Sequence, residues 1–279
     1  VVVALPAFRW EAFTVQALPH GASGVLAALP FAIWFYLAIE GVANAAEEAR
    51  NPQRDVAFGF GAALLTLVVL ALLVFFAAVG VAGWPAIVYP ANSSEPSDAP
   101  LPLALSFVVG PDSWLYHLLI SVGLFGLVAS FHGILLAAGR ATWALGQARF
   151  LPAVLGEVHA ASGTPRVALL LNMGLGLLAI LSGTTGEIIT LSCFGALLLY
   201  VLSLAALFRL RRDEPGLSRP YRAPLFPVLP ALALGLALLC LVALAISHVS
   251  VFGVFAALIG CAAVHYAVNI RRSLAPVVK

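Results

Sequence analysis

Charge is scarce in this 279-residue chain: 9% of its residues are Asp, Glu, Lys or Arg, against roughly 25% in a soluble globular domain. So little charge leaves no basic surface for nucleic acid and too little polarity for a disordered or water-soluble chain. Lysine occurs once, as Lys279. A retinal protein needs a lysine inside its helical bundle, so that class is excluded. Cysteine occurs three times, at Cys193, Cys240 and Cys261, always inside an apolar run and never in CxxC spacing. These thiols are expected to be small buried hydrophobes, and no metal or cofactor is expected. No HExxH motif and no pair of buried aspartates is present. Gly21-Ala22-Ser23-Gly24 fits the nucleophile pattern of an intramembrane serine protease, whose partner histidine is followed three residues later by glycine. His132, His248 and His265 are followed there by Leu135, Val251 and Val268. The segment therefore reads as a helix entry, and the chain as no enzyme.

What fills the chain instead is hydrocarbon: 62% of residues are apolar and the mean hydropathy is +1.06. Charge-free runs cover residues 12–39, 56–94, 113–139, 167–186, 188–208 and 223–270. A spanning helix takes about 20 mostly apolar residues, so these runs predict seven spans, near 25–46, 58–83, 114–139, 166–182, 187–208, 228–247 and 251–270. Ser247-His248-Val249-Ser250 is expected as the turn between the last two. Pro85 to Asp112, with six prolines, reads as an irregular loop, and Val1 to Phe8 as the last turns of an incomplete helix. Thirteen of the fourteen basic residues fall in loops on one side of this arrangement, with Arg9 alone on the other. The excess of arginine marks the cytoplasmic side, which predicts a multi-pass plasma-membrane protein with a cytoplasmic C-terminus.

Glu40 stands out because 28 uncharged residues precede it. If Arg50 marks the interface, ten helical residues carry Glu40 about 15 Å inward, to the middle of a hydrocarbon core about 30 Å thick. An ionisable group costs roughly 3 kcal/mol there and by default marks a substrate or proton path; the bland alternative is a protonated carboxyl bonded to a neighbouring helix. His132, eight residues inside Arg140, lies at similar depth, about 12 Å, beside Ser130 and Gly133. It either bonds across to another helix or shares the function. Trp34 could close an aromatic face over a cationic substrate or serve only as bulk, and Tyr200 reads as packing. A channel would need a continuous polar stripe, and the spans offer only isolated polar residues.

Ile33-Trp34-Phe35-Tyr36-Leu37-Ala38-Ile39-Glu40-Gly41, followed by Ala46-Glu47-Glu48-Ala49-Arg50-Asn51-Pro52-Gln53-Arg54-Asp55, resembles the broken sixth helix of the amino acid–polyamine–organocation superfamily of secondary transporters. Gly139-Arg140 through Pro152 is similar to the segment after that family's eighth helix. Arg219-Pro220-Tyr221-Arg222-Ala223-Pro224 through Pro230 is similar to the linker before its eleventh. Ala45-Ala46-Glu47-Glu48 and Ser130-Phe131-His132-Gly133 lean toward the bacterial ethanolamine-permease branch. The resemblance implies an all-α fold: the second inverted repeat plus two extra helices of a LeuT-like transporter, helices six to twelve. Residues 1–279 would form one transmembrane transporter domain whose first half lies outside this chain. It further implies proton-coupled symport or exchange of an amine or amino acid by alternating access, with a small-molecule substrate, a coupling proton or cation and the lipid bilayer as partners. The implied substrate-binding residues are Trp34, Leu37, Ala38, Glu40, His132 and Ile134, the last an aliphatic residue where some relatives carry an aromatic. Glu40 and His132 are the candidates for proton coupling. In the interrupted segment 33–41 the backbone carbonyls of Trp34 and Leu37 are expected to be free to accept from an ammonium.

Overall fold

The computed structural model describes residues 1–37, 39, 41, 49–90, 93, 95–97, 99–219, 223 and 225–270. Ten α-helices form among them: α1 (Gly21–Ala27), α2 (Leu29–Phe35), α3 (Pro52–Ala82), α4 (Trp84–Val88), α5 (Pro100–Val109), α6 (Trp114–Gln147), α7 (Arg166–Ser182), α8 (Thr185–Asp213), α9 (Val228–Ser247) and α10 (Val249–His265). Helices satisfy their own backbone N–H and C=O groups, which hydrocarbon cannot do for them. α3, α6, α8, α9 and the stretch Val249–Val268 are long and apolar enough to cross a membrane, while Gly21–Phe35 and α7 are shorter apolar segments. The chain is therefore an all-α, multi-pass membrane protein. Its helices display their apolar side chains outward: the most apolar stretch of α6 has no buried residue. Such a surface is an aggregation hazard in water and ordinary against lipid.

The chain divides into two compact units, one of Val1–Ala22 with Phe58–Gly133, the other of Ser23–Ala57 with the residues from Ile134 onward. The core of the first is a cluster of Ala78, Val79, Ile87 and Ala104 from α3, α4 and α5. The sequence predicts an irregular loop here, and the structure corrects it with two short helices. Position explains the difference. Pro85 and Pro100 fall at the start of α4 and α5, where the N–H that proline lacks would have no intrahelical partner. The N-terminal segment is a 3₁₀ helix, Val2–Ala7, whose following ring, Phe8, lies directly on Gly80 of α3 with no room for a Cβ. The Arg9 N–H donates to the Gly80 carbonyl at 2.8 Å and pins the backbones together. Phe8, Trp10, Phe13, Phe75 and Phe76 then pack in tilted and edge-to-face pairs at centroid separations of 5.0–6.4 Å.

The second unit is organised by α8. Thr190, Cys193, Phe194 and Leu197, spaced as one helical stripe, are all buried, and Leu244 of α9 and Val251 of α10 close on them. Phe194 stacks on Phe255 at 5.4 Å and meets Phe252 at 5.5 Å. Of the thiols expected inside, Cys193 is buried, Cys240 half-buried and Cys261 exposed; Cys261 sits on an outward face of α10, so burial is not shared by all three. α7 and α9 match the predicted spans, and His248 alone separates α9 from α10. α6 continues to Gln147, eight residues past the predicted end, because apolarity marks the bilayer and not the end of the hydrogen-bond ladder. Beyond it the chain folds back so closely that the backbones of Gly146 and Gly156 touch, and Gln147 Nε2 donates to the Gly156 carbonyl at 2.6 Å. Asn172 of α7 donates to Thr142 Oγ1 of α6 at 2.9 Å and to the Ala168 carbonyl at 2.8 Å. At the end of α8, the Arg219 guanidinium donates to the carbonyls of Leu210, Glu214, Pro215 and Leu217 at 2.6–3.4 Å, a cation on the negative end of the helix dipole.

Candidate functional site

The proposed site centres on α2. Pro30 stands in the first turn of that helix and is fully buried. Its carbonyl accepts a hydrogen bond from Cys193 Sγ of α8 at 3.1 Å, which ties the start of α2 to the central helix of the unit. Ile33 and Leu37, four residues apart and therefore on one face, pack against the buried cluster of Cys193, Phe194, Leu197, Leu244 and Val251. Burying that face turns Trp34 outward, 50% exposed. Phe35 and Tyr36 are exposed with it, their rings edge to face at 5.4 Å.

The α-helix stops at Phe35. The Tyr36 and Leu37 N–H groups donate back to the carbonyls of Ile33 and Trp34, both at 3.0 Å, the three-residue reach of a tightened turn. The regular helix is thus interrupted inside 33–41. The Trp34 carbonyl, expected to be free, is already engaged by Leu37. Ala38 and Glu40 lie outside the described residues, as do residues 42–48 with most of the acidic motif. Where the described chain resumes, Pro52 opens α3, and the Asp55 carboxylate accepts from the Asn51 N–H at 3.0 Å. An acidic residue there also complements the helix dipole.

His132 and Ile134 both lie on α6 and are exposed, Ile134 at 54%. Two residues apart on a helix, they point about 200° apart, so they cannot line the same side of α6. His132 belongs to the first unit and Ile134 to the second. Sequence reasoning missed Cys193, which it took only as packing. Its partner lies 163 residues away, so no local signal marks it. Among the described residues no group of three or more His, Cys, Asp or Glu side chains is placed to hold a metal ion.

Several cavities lie elsewhere. A volume of about 400 Å³ in the first unit is walled by aliphatic side chains such as Val74, Leu101, Leu105 and Leu119. One of about 210 Å³ in the second unit has Glu187, Thr184 and Ser250 above an apolar floor of Leu191 and Val254.

Comparison with known proteins gives these features a context. The sequence profile of a family described as amino acid permease matches residues 1–268. The chain is similar to an uncharacterized transporter of Rhizobium meliloti, with 30% identity over 83% of this chain and 48% of the relative. A methylthioribose transporter of Bacillus subtilis is 28% identical over 82% of this chain and 47% of its own length. A branched-chain amino acid permease of the same organism is 27% identical, with 81% and 46% covered. The chain spans about half the length of these relatives.

Proposed function

Because this chain belongs to the amino acid permease family, within the amino acid–polyamine–organocation superfamily, we propose that it serves a secondary active transporter for an amine or amino acid, working by alternating access with proton-coupled symport or exchange. Residues 1–279 form part of one transporter domain in the plasma membrane, with the arginine-rich loops and residue 279 in the cytoplasm. The observation that carries the reading is the interrupted helix at α2. Irregular backbone at membrane depth is tolerated where it faces protein or a water-lined cavity, and interrupted helices are where such transporters bind their cargo. A half-exposed Trp34 stands at that interruption and offers its ring face to a substrate ammonium.

Leu37 and Ala38 follow it, Glu40 supplies the counter-charge, and His132 and Ile134 are further candidates on α6, of which only one can face the cargo because they lie on opposite sides of that helix. Glu40 is the first candidate to link cargo binding to proton movement, with His132 as its rival. Ethanolamine-like cargo suits the segment around Glu40 and His132, and amino acids suit relatives named as branched-chain amino acid permeases.

The test is uptake by the native permease in proteoliposomes, with ethanolamine and branched-chain amino acids as cargo, measured from about pH 5 to 8 for wild type, Glu40→Gln and His132→Gln. Glu40→Gln keeps the shape and removes the titration, so binding survives in part and the pH dependence flattens. An unchanged profile in Glu40→Gln with a flattened one in His132→Gln moves the coupling role to His132. No uptake of any amine or amino acid by wild-type protein would overturn the transport reading itself.

A further inference from the structure

We propose that the arginine-poor end of the first unit carries a second site, an aromatic cage that binds a small organic ammonium ion and uses none of the residues assigned above. A cavity of about 460 Å³ is lined there by Phe13, Phe75, Trp84, Tyr89 and His20, with small aliphatic groups between them. The four rings come from three separate stretches of chain: the 3₁₀ turn Trp10–Phe13, the end of α3, and α4 with the residue that follows it. The pairs are steeply inclined. Trp84 and Tyr89 lie 6.3 Å apart at 63°, and Phe13 and Phe75 5.9 Å apart at 58°. They form walls at an angle to one another, not a stack.

Tryptophan and tyrosine at a membrane interface commonly turn their polar edges toward lipid head groups. Trp84 does not. Its Nε1–H donates to the Gln16 carbonyl at 2.9 Å, which fixes the indole as a wall of the cavity. An apolar guest would be served equally well by leucines, whereas a cation gains from the negative faces of aromatic rings. The surrounding charge has the matching sign. Glu11 sits on the same turn as Phe13 and is exposed; Glu95 and Asp112 follow in the loops of this end, against Arg9 alone among its described residues. A surface of one sign raises the local concentration of the opposite ion. His20 and the Tyr89 hydroxyl add polar atoms to the lining. This inference is independent of which cargo the protein carries.

The experiment measures saturable binding of radiolabelled tetramethylammonium to the native permease in lipid nanodiscs. A Trp34→Leu background removes the cation contact proposed at α2. Tyr89→Leu and Phe75→Leu each delete a ring while keeping apolar bulk, and each should weaken binding about fivefold. Tyr89→Phe, which keeps the ring, should bind as the parent does, and neopentyl alcohol, a neutral molecule of similar shape, should not compete. Parent-like binding in both leucine variants, equal competition by the alcohol, or loss of all binding through Trp34→Leu alone would each overturn the cage. Uptake is measured on the same preparations. Tetramethylammonium binding that persists while no cargo is transported counts against the transport reading and leaves the cage standing.

Discussion

Replacing Gly146 with alanine strikes a close approach of backbone to backbone in the second unit. A Cβ at that position would meet the Gly156 nitrogen, the Leu155 carbonyl carbon at 2.7 Å and Gly156 Cα at 2.8 Å. Carbon atoms prefer about 3.5–4.0 Å. All three neighbours are backbone, so no rotamer change relieves the clash and the segment after α6 must retreat by about 1 Å. Overpacking of this kind costs about 1–3 kcal/mol. The displaced Gly156 carbonyl also loses its 2.6 Å bond from Gln147, worth about 1 kcal/mol. Alanine's better helix propensity returns up to about 1 kcal/mol, leaving a net loss of about 1–3 kcal/mol. Two other glycines of the same helix serve as internal controls. At Gly126 nothing lies within 4 Å, so alanine there keeps only the propensity gain. At Gly139 the obstacle is the tip of the Leu169 side chain, which can rotate away, so the effect falls between. The assay is thermal unfolding of the native permease in detergent, followed by tryptophan fluorescence, with stability expected in the order Gly126→Ala, Gly139→Ala, Gly146→Ala. Equal midpoints for Gly126→Ala and Gly146→Ala would refute the reasoning, because the contact between α6 and the returning chain would then not exist.

Other perturbations follow from the same packing. Cys193→Ala removes the donor to Pro30 and should cost about 0.6 kcal/mol, the usual worth of a hydrogen bond between membrane helices, with faster amide exchange in α2 by mass spectrometry; Cys193→Ser should restore most of the protection. Phe194→Ala empties the centre of the α8 cluster and should cost about 3–5 kcal/mol, seen as a lower denaturation midpoint. Arg219→Ala leaves four carbonyls at the end of α8 without their shared donor and should fray its last turn in exchange measurements. Arg219→Lys should recover only part, because one ammonium cannot reproduce the fork of a guanidinium.

The spans were legible wherever chemistry at the ends agreed with apolarity along the middle. α7 begins after Pro165 and ends at Gly183 in the left-handed conformation, and α9 lies between Pro227 and His248; both boundaries coincide with those read from the sequence. Where only one signal was available the reading failed. The prolines of residues 85–112 look like breakers when counted, yet at the first turn of a helix they act as starters. α6 outruns its apolar run because polarity changes at the membrane surface while helical hydrogen bonding need not. At the candidate site, the end of α2 at Phe35 agrees with the break that the family resemblance implies for 33–41, whereas the direction of Trp34 depends on how Ile33 and Leu37 pack and is not legible in the run. Nor is the Cys193 bond to Pro30, because it joins residues 163 apart and depends on which faces of two helices meet.

The Phe8 ring on Gly80 has a consequence for how this sequence can drift among its descendants. The Arg9 bond to the Gly80 carbonyl at 2.8 Å holds the two backbones in place, so the pair shares one fixed allotment of volume. Any side chain acquired at position 80 evicts the aromatic ring at position 8 and loosens the rings packed behind it. Shrinking position 8 first leaves a void that a larger residue at 80 could later fill. The two positions should therefore covary in size across related sequences, with a bulky residue at one found beside glycine at the other.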